Sequence, residues 1–157
     1  MLRRILRALF RPRPLPPPPR PPDPRLEADP WLGRLFALLP DRYQLGPDAV
    51  DGAQVLRRTG RARFNPMPVW VRAAERVVRG DYEVRGDAAA AKALLDARIA
   101  QRLSGMGIVQ ASESVEDWGG TVLTRRYEGR CETSEQAAAA IRFFCEESEQ
   151  QVNLAAE

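Results

Sequence analysis

The chain has 157 residues, 24 of them basic and 21 acidic, with two cysteines, no histidine and a formal charge of +3. Without histidine it lacks the commonest general base at neutral pH, and Cys131 and Cys145 fit no paired zinc spacing and no disulfide framework, so a reducing, cytoplasmic compartment is expected, with no metal and no cofactor. No apolar run reaches the roughly 20 residues that span a bilayer, and arginine interrupts every stretch that could serve as the core of a secretory signal.

The first 22 residues carry Arg3, Arg4, Arg7, Arg11, Arg13 and Arg20 and no acid. Six positive charges there, against a total of +3, leave the rest of the chain at −3. Such asymmetry points to an arm that meets an anionic surface or a receptor. Leu2, Ile5, Leu6, Leu9 and Phe10 fall at i, i+3, i+4, i+7 and i+8, one stripe of a helix, with Arg3, Arg4, Arg7 and Arg11 on the other side. Pro12 ends that segment. Residues 1–11 are too few for a helix stable alone in water, so the segment is expected to be disordered and to fold on an apolar, anionic surface. Each basic residue near an anionic leaflet contributes about 1 kcal/mol, which gives reversible peripheral attachment at the inner face of a membrane. The same pattern describes an organelle transit peptide or a helix that docks in a partner protein's groove.

Residues 12–30 hold ten of the fourteen prolines and read as a semi-rigid polyproline II spacer. Within it, residues 13–19 (Arg13-Pro14-Leu15-Pro16-Pro17-Pro18-Pro19) have the spacing of a ligand for a proline-recognition domain, a pattern that any arginine-flanked proline run meets easily.

Residues 31–157 read as a single small globular α+β domain. Asp29 and Pro30 look like the cap and first position of a short helix containing Trp31, Leu35 and Phe36 and ending at Pro40. A weaker helix is expected from Asp48 to Arg58. Another is expected after Asn65-Pro66, with Trp70, Ala73, Ala74 and Val77 on one face and Gly80 as its stop. Tyr82 to Arg85 reads as a strand. Asp87 caps an alanine-rich helix with Ala91, Leu94, Leu95, Ile99 and Leu103 inward. Ile108 to Val115 and Thr121 to Tyr127 read as strands joined by a turn at Asp117-Trp118-Gly119-Gly120. Thr133 and Gln136 fit a capping box, opening a helix that turns Ala137, Ile141, Phe144, Cys145 and Val152 inward and leaves Phe143 off that face. The order strand, helix, strand, strand, helix becomes ferredoxin-like if Val152 to Ala155 adds a further strand, and winged-helix-like if it does not.

No P-loop, dinucleotide glycine pattern or converging catalytic set is present, so the chain reads as non-catalytic. Glu113, Glu116 and Asp117 cluster near the hairpin tip, where acids belong to a solvated turn. The stretch from Arg57 to Arg79 holds seven arginines against Glu75. Arg57, Arg58, Arg61, Arg63 and Phe64 could grip phosphate, with forked donors and a stacking face. The alternative is an internal one, because residues 131–157 carry six acids against Arg142 and could face that loop. Two functions follow: an adaptor or accessory protein tethered through residues 1–11, or a nucleic-acid-binding protein, regulatory or phage-related, that uses residues 57–63. The near-exclusive use of arginine, with Lys92 the sole lysine, and the abundant alanine suit a GC-rich genome such as a bacterium's or a phage's.

Overall fold

A computed structural model describes residues 22–41, 43–50, 53–58, 69–117 and 119–147. Its elements are helices α1 (Pro24–Ala28) and α2 (Pro30–Leu38), then strands β1 (Tyr43–Val50), β2 (Ala53–Arg58), β3 (Val69–Arg72) and β4 (Val77–Arg85). A continuous helical rod follows: α3 (Ala88–Leu95), a π-helical turn π1 (Asp96–Ala100) and α4 (Gln101–Ser104). Strands β5 (Val109–Asp117) and β6 (Thr121–Arg130) lead to α5 (Ser134–Arg142) and a second π-helical turn, π2 (Phe143–Glu147). The class is mixed α+β.

Local chemistry explains where the helices begin. The Asp23 carboxylate accepts from the Arg25 amide with Pro24 at the first helical position, and Asp29 accepts from the Leu32 amide at 3.0 Å with Pro30 following it. Part of the stretch that reads as a spacer is therefore helix α1. A Cβ on Gly33 would stand 2.5 Å from the Leu26 carbonyl oxygen, so glycine lets α1 lie directly on α2. Asp87 caps α3 through the Ala90 amide, and Thr133 and Gln136 form the reciprocal capping box of α5.

The six strands form one antiparallel sheet in the order β1-β2-β3-β4-β6-β5. Two expectations are overturned here. The segment from Asp48 to Arg58 is not helical but belongs to the β1–β2 hairpin, with Val50 opposite Ala53 across Asp51-Gly52. Asp-Gly is a strong two-residue hairpin signal, and it outweighs the weak helical periodicity. The segment around Trp70 and Val77 is likewise the β3–β4 hairpin, turning through residues 73–76. Its Val69-Trp70-Val71-Arg72 run alternates buried and half-buried, and the valines favour the pleated surface. Gly80 does not stop a helix but lies inside β4 beneath Phe144, whose ring would be 2.4 Å from any Cβ placed there.

From β4 onward the expected order of strand, helix, strand, strand, helix is present. β5 lies beyond β6, and β4 pairs with β6 along its whole length from Val77 opposite Arg130 to Arg85 opposite Val122. This is a split β-α-β unit, half of a ferredoxin-like sandwich. β3 occupies the other side of β4, the place such a sandwich gives to its last strand. Val152 to Ala155 lie outside the described residues.

The described helices pack on one side of the sheet. Val69, Val71, Val78, Leu123 and Tyr127 from the strands meet Leu35 and Phe36 of α2, Leu95, Ile99 and Leu103 of the rod, and Ile141 of α5, all essentially without solvent exposure. Each such side chain contributes about 1.5–3 kcal/mol through burial. Phe143, which the sequence places off the inward face, is fully buried, and Phe144 beside it packs on Tyr82 at 5.9 Å between ring centroids. The wider π2 turn brings both adjacent phenylalanines to the core.

Candidate functional site

The arm residues Leu2, Arg3, Arg4, Ile5, Leu6, Arg7, Leu9, Phe10 and Arg11 lie outside the described residues, as do residues 13–19 and Arg61, Arg63 and Phe64. Arg57 and Arg58 are not in a loop. They are the last two positions of β2, paired with Gln44 and Tyr43, and consecutive strand positions belong to opposite faces of a sheet.

The other arginines of the basic stretch are engaged within the fold. Arg72 pairs with Glu75 at 3.7 Å, and Arg76 donates to the Glu132 carbonyl oxygen at 3.4 Å. Arg79 pairs with Asp81 at 3.3 Å and lies over the Trp70 ring, 4.9 Å from its centroid. Three of the six acids in residues 131–157 have partners among the described residues. Glu132 pairs with Arg130 at 3.2 Å, Glu135 with Arg34 at 2.9 Å, and Glu146 accepts from the Tyr43 hydroxyl at 2.6 Å. The Glu135 carboxyl sits below its ordinary value through a backbone hydrogen bond and the nearby Arg34 charge.

The two faces of the sheet differ in kind. On the helix-covered face, Arg125 is 3 % exposed and is held from three sides. Its Nε and Nη2 donate to Glu113 Oε2 at 2.9 and 2.6 Å, and its Nη1 donates to Asp96 and to the Tyr127 hydroxyl. Lys92 adds a second cation to Glu113. Burial alone would lower the basicity of Arg125, but its hydrogen bonds to Tyr127, Glu113 and Asp96 outweigh that and keep it above its ordinary value. Lys92 and then Arg125 hold the Glu113 carboxyl below the usual carboxylate range, while burial raises the Tyr127 phenol. Two cations face two carboxylates, a balanced network that braces α3 and π1 against β5 and β6. Glu113, which the sequence groups with Glu116 and Asp117 as a solvated turn, is instead committed to Arg125 and Lys92.

The opposite face carries the cluster that sequence reading missed. Asp81, on β4, accepts from Arg79 on its own strand and from Arg126 on β6 at 3.1 Å, beside the Trp70–Arg79 stack. The Trp70 indole N–H is buried and has no acceptor among the described residues. The period-2 pattern of Val69-Trp70-Val71-Arg72 was the available signal. Read with helical spacing, Trp70 becomes a core residue of a helix that does not exist.

Burial pushes the Cys131 thiol up to about 11, keeping it protonated, and Cys145 is buried on the inward side of π2. Among the described residues no cluster of histidine, cysteine, aspartate and glutamate could hold a metal ion. No described helix is long and apolar enough to cross a membrane.

The β1 edge shows how the folded body begins. Arg25, bracketed by Asp23 at 2.7 Å, donates through Nη1 to the Gly46 carbonyl oxygen at 2.7 Å. This ties α1, and with it the point where residues 1–21 join, to the outer strand of the sheet. Comparison with known proteins finds no matching family model, no matching curated protein and no matching solved structure.

Proposed function

We propose that the chain is a non-catalytic adaptor, tethered reversibly through residues 1–11 to an anionic membrane surface at its cytoplasmic face. One observation carries this reading. Arg72 and Arg79 of the basic stretch are paired with acids within the fold, whereas the six arginines of the first 22 residues precede the first acid, Asp23, which Arg25 already holds. The arm's charge has no neighbouring acid in sequence to answer it, and its apolar residues share one helical stripe. With α1 subtracted, the proline-rich sequence of residues 12–22, if polyproline II at about 3.1 Å per residue, would reach about 35 Å and serve as a spacer between surface and body.

The test is flotation of the full chain with anionic and with neutral vesicles at two salt concentrations. Wild type co-floats with the anionic vesicles and is released by salt, because surface attraction is screened. Leu6→Asp, which places a charge in the apolar stripe, and a variant with Arg3, Arg4, Arg7 and Arg11 changed to Gln both stay at the bottom of the gradient. If those variants float as well as wild type, the tether reading is wrong. Salt-sensitive binding of an oligonucleotide, lost on changing Arg57, Arg58, Arg61 and Arg63 to Ala, would then favour the nucleic-acid reading.

A further inference from the structure

We propose that the outer edge of β5, from Ser112 to Asp117, is a strand-addition site for an extended, cationic segment of a partner protein. The inference goes beyond the tether and does not depend on where the arm attaches. It rests on the contrast between the two edges of the sheet.

An edge strand offers a row of unpaired backbone donors and acceptors, and proteins usually blunt it. The β1 edge is blunted three times. Arg25 occupies the Gly46 carbonyl oxygen, Pro47 has no amide hydrogen to offer, and the register shifts between Leu45 and Ala49. β5 carries a single irregularity, between Gln110 and Ser112. Beyond it the strand runs in unbroken register from Ser112 opposite Arg126 to Asp117 opposite Thr121, contains no proline, and has no described segment on its outer side. Of these six residues only Glu113 is even half-buried. Two of the three exposed large apolar side chains among the described residues lie on β5, Val109 at 59 % and Val115 at 49 % exposure, the third being Leu38. Valine left open on a long, unprotected edge is what a missing neighbour strand would cover.

Charge selects the occupant. Residues 109–117 contain three carboxylates and no base. Two copies joined edge to edge would bring both Asp117 carboxylates into one strip, and like charges across a strand pair are unfavourable. A cationic strand is complementary. Register narrows its pattern: Glu113, Val115 and Asp117 stand opposite Arg125, Leu123 and Thr121 and share the helix-covered side. Glu113 is already taken by Arg125 and Lys92. An antiparallel partner therefore needs a basic residue opposite Asp117 and, two positions later, an aliphatic one opposite Val115. Basic-x-aliphatic in an extended segment is the chemistry this edge fits.

The test uses the full chain labelled for amide NMR and a blocked peptide, Thr-Arg-Thr-Val-Thr-Thr, with a control carrying Glu in place of Arg. The arginine peptide shifts and protects amides within residues 112–117, and the glutamate peptide does not. Val115→Lys, at an exposed position, weakens binding roughly tenfold. Asp117→Asn, which keeps an acceptor for the Gly120 amide, weakens it less. Unchanged melting temperatures separate both effects from misfolding. The proposal is overturned by no shifts at millimolar peptide, by shifts centred elsewhere, or by equal response to the two peptides. Shifts of the same amides with protein concentration alone would also overturn it and give the edge to a second copy.

Discussion

At the scale of single residues, Arg125 shows how a buried charge is made tolerable. A guanidinium out of water is costly unless its donors are answered, and Glu113, Asp96 and Tyr127 answer four of its five N–H groups. Arg125→Ala removes the cation that Asp96 and Glu113 face and opens a void under the rod. With Asp96 and Lys92 partly in solvent, the expected loss is about 3 kcal/mol, read by denaturant unfolding. The network also sets an acid limit. Because the folded Glu113 carboxyl lies below its unfolded value of 4.5, its contribution is fully present above that pH and fades as pH falls through the lower folded value. Glu113→Gln should lower the melting temperature at neutral pH and narrow its gap to wild type in acid. Gly80 sits at the opposite extreme, where the absence of a side chain matters. Gly80→Ala drives a methyl into the Phe144 ring and should cost about 1–3 kcal/mol, and Phe144→Leu in the same chain should return part of that.

At the scale of elements, helices with a chemical stop at each end were legible and the first three strands were not. Asp29-Pro30, Asp87 and Thr133-Gln136 are capping signals that act within four residues, so they survive reading without tertiary context. β5 and β6 were legible because a turn between them splits two runs of strand-forming residues. The β1–β2 and β3–β4 hairpins were hidden because alanine and arginine around Trp70 and Val77 satisfy helical spacing by accident. Asp51-Gly52 and the Val69 to Arg72 alternation were the competing signals, and they carried more weight. Phe143 was misplaced for a different reason: a π turn shifts the inward face by a residue, and periodicity at 3.6 cannot register it. The β3–β4 turn keeps a cost of its own, since Arg76 adopts φ 56°, the left-handed region, without being glycine. Arg76→Gly should therefore stabilise the protein by up to about 1 kcal/mol. The loss of the long 3.4 Å bond to the Glu132 carbonyl subtracts little, and thermal melting is the check.

At the scale of the whole molecule, one asymmetric sheet organises everything described: helices on one face, an Arg–Asp–Arg cluster with a stacked tryptophan on the other, a clamped edge at β1 and an open one at β5. The candidate site was the least legible part, because the patterned arm announces itself in sequence whereas Asp81 and Arg126 are 45 residues apart and meet only through strand pairing. The clamp also fixes where the arm ends and the body begins. Composition alone would put that boundary after Pro30, at the end of the proline-rich stretch. The Arg25 bond to Gly46 and the Asp23 cap put it at Asp23 instead. The two choices predict different stabilities. Removing residues 1–21 leaves every described contact in place, so the shortened chain should unfold with the full-length free energy and cooperativity. Removing residues 1–25 deletes a helix cap and a charged hydrogen bond to an edge-strand carbonyl, and should cost about 1–2 kcal/mol, tempered by the partial exposure of Arg25. A denaturant series on the two truncations decides between them. Equal midpoints would mean that Asp23 and Arg25 belong functionally to the arm, and a lower midpoint for the shorter chain alone would place them in the fold.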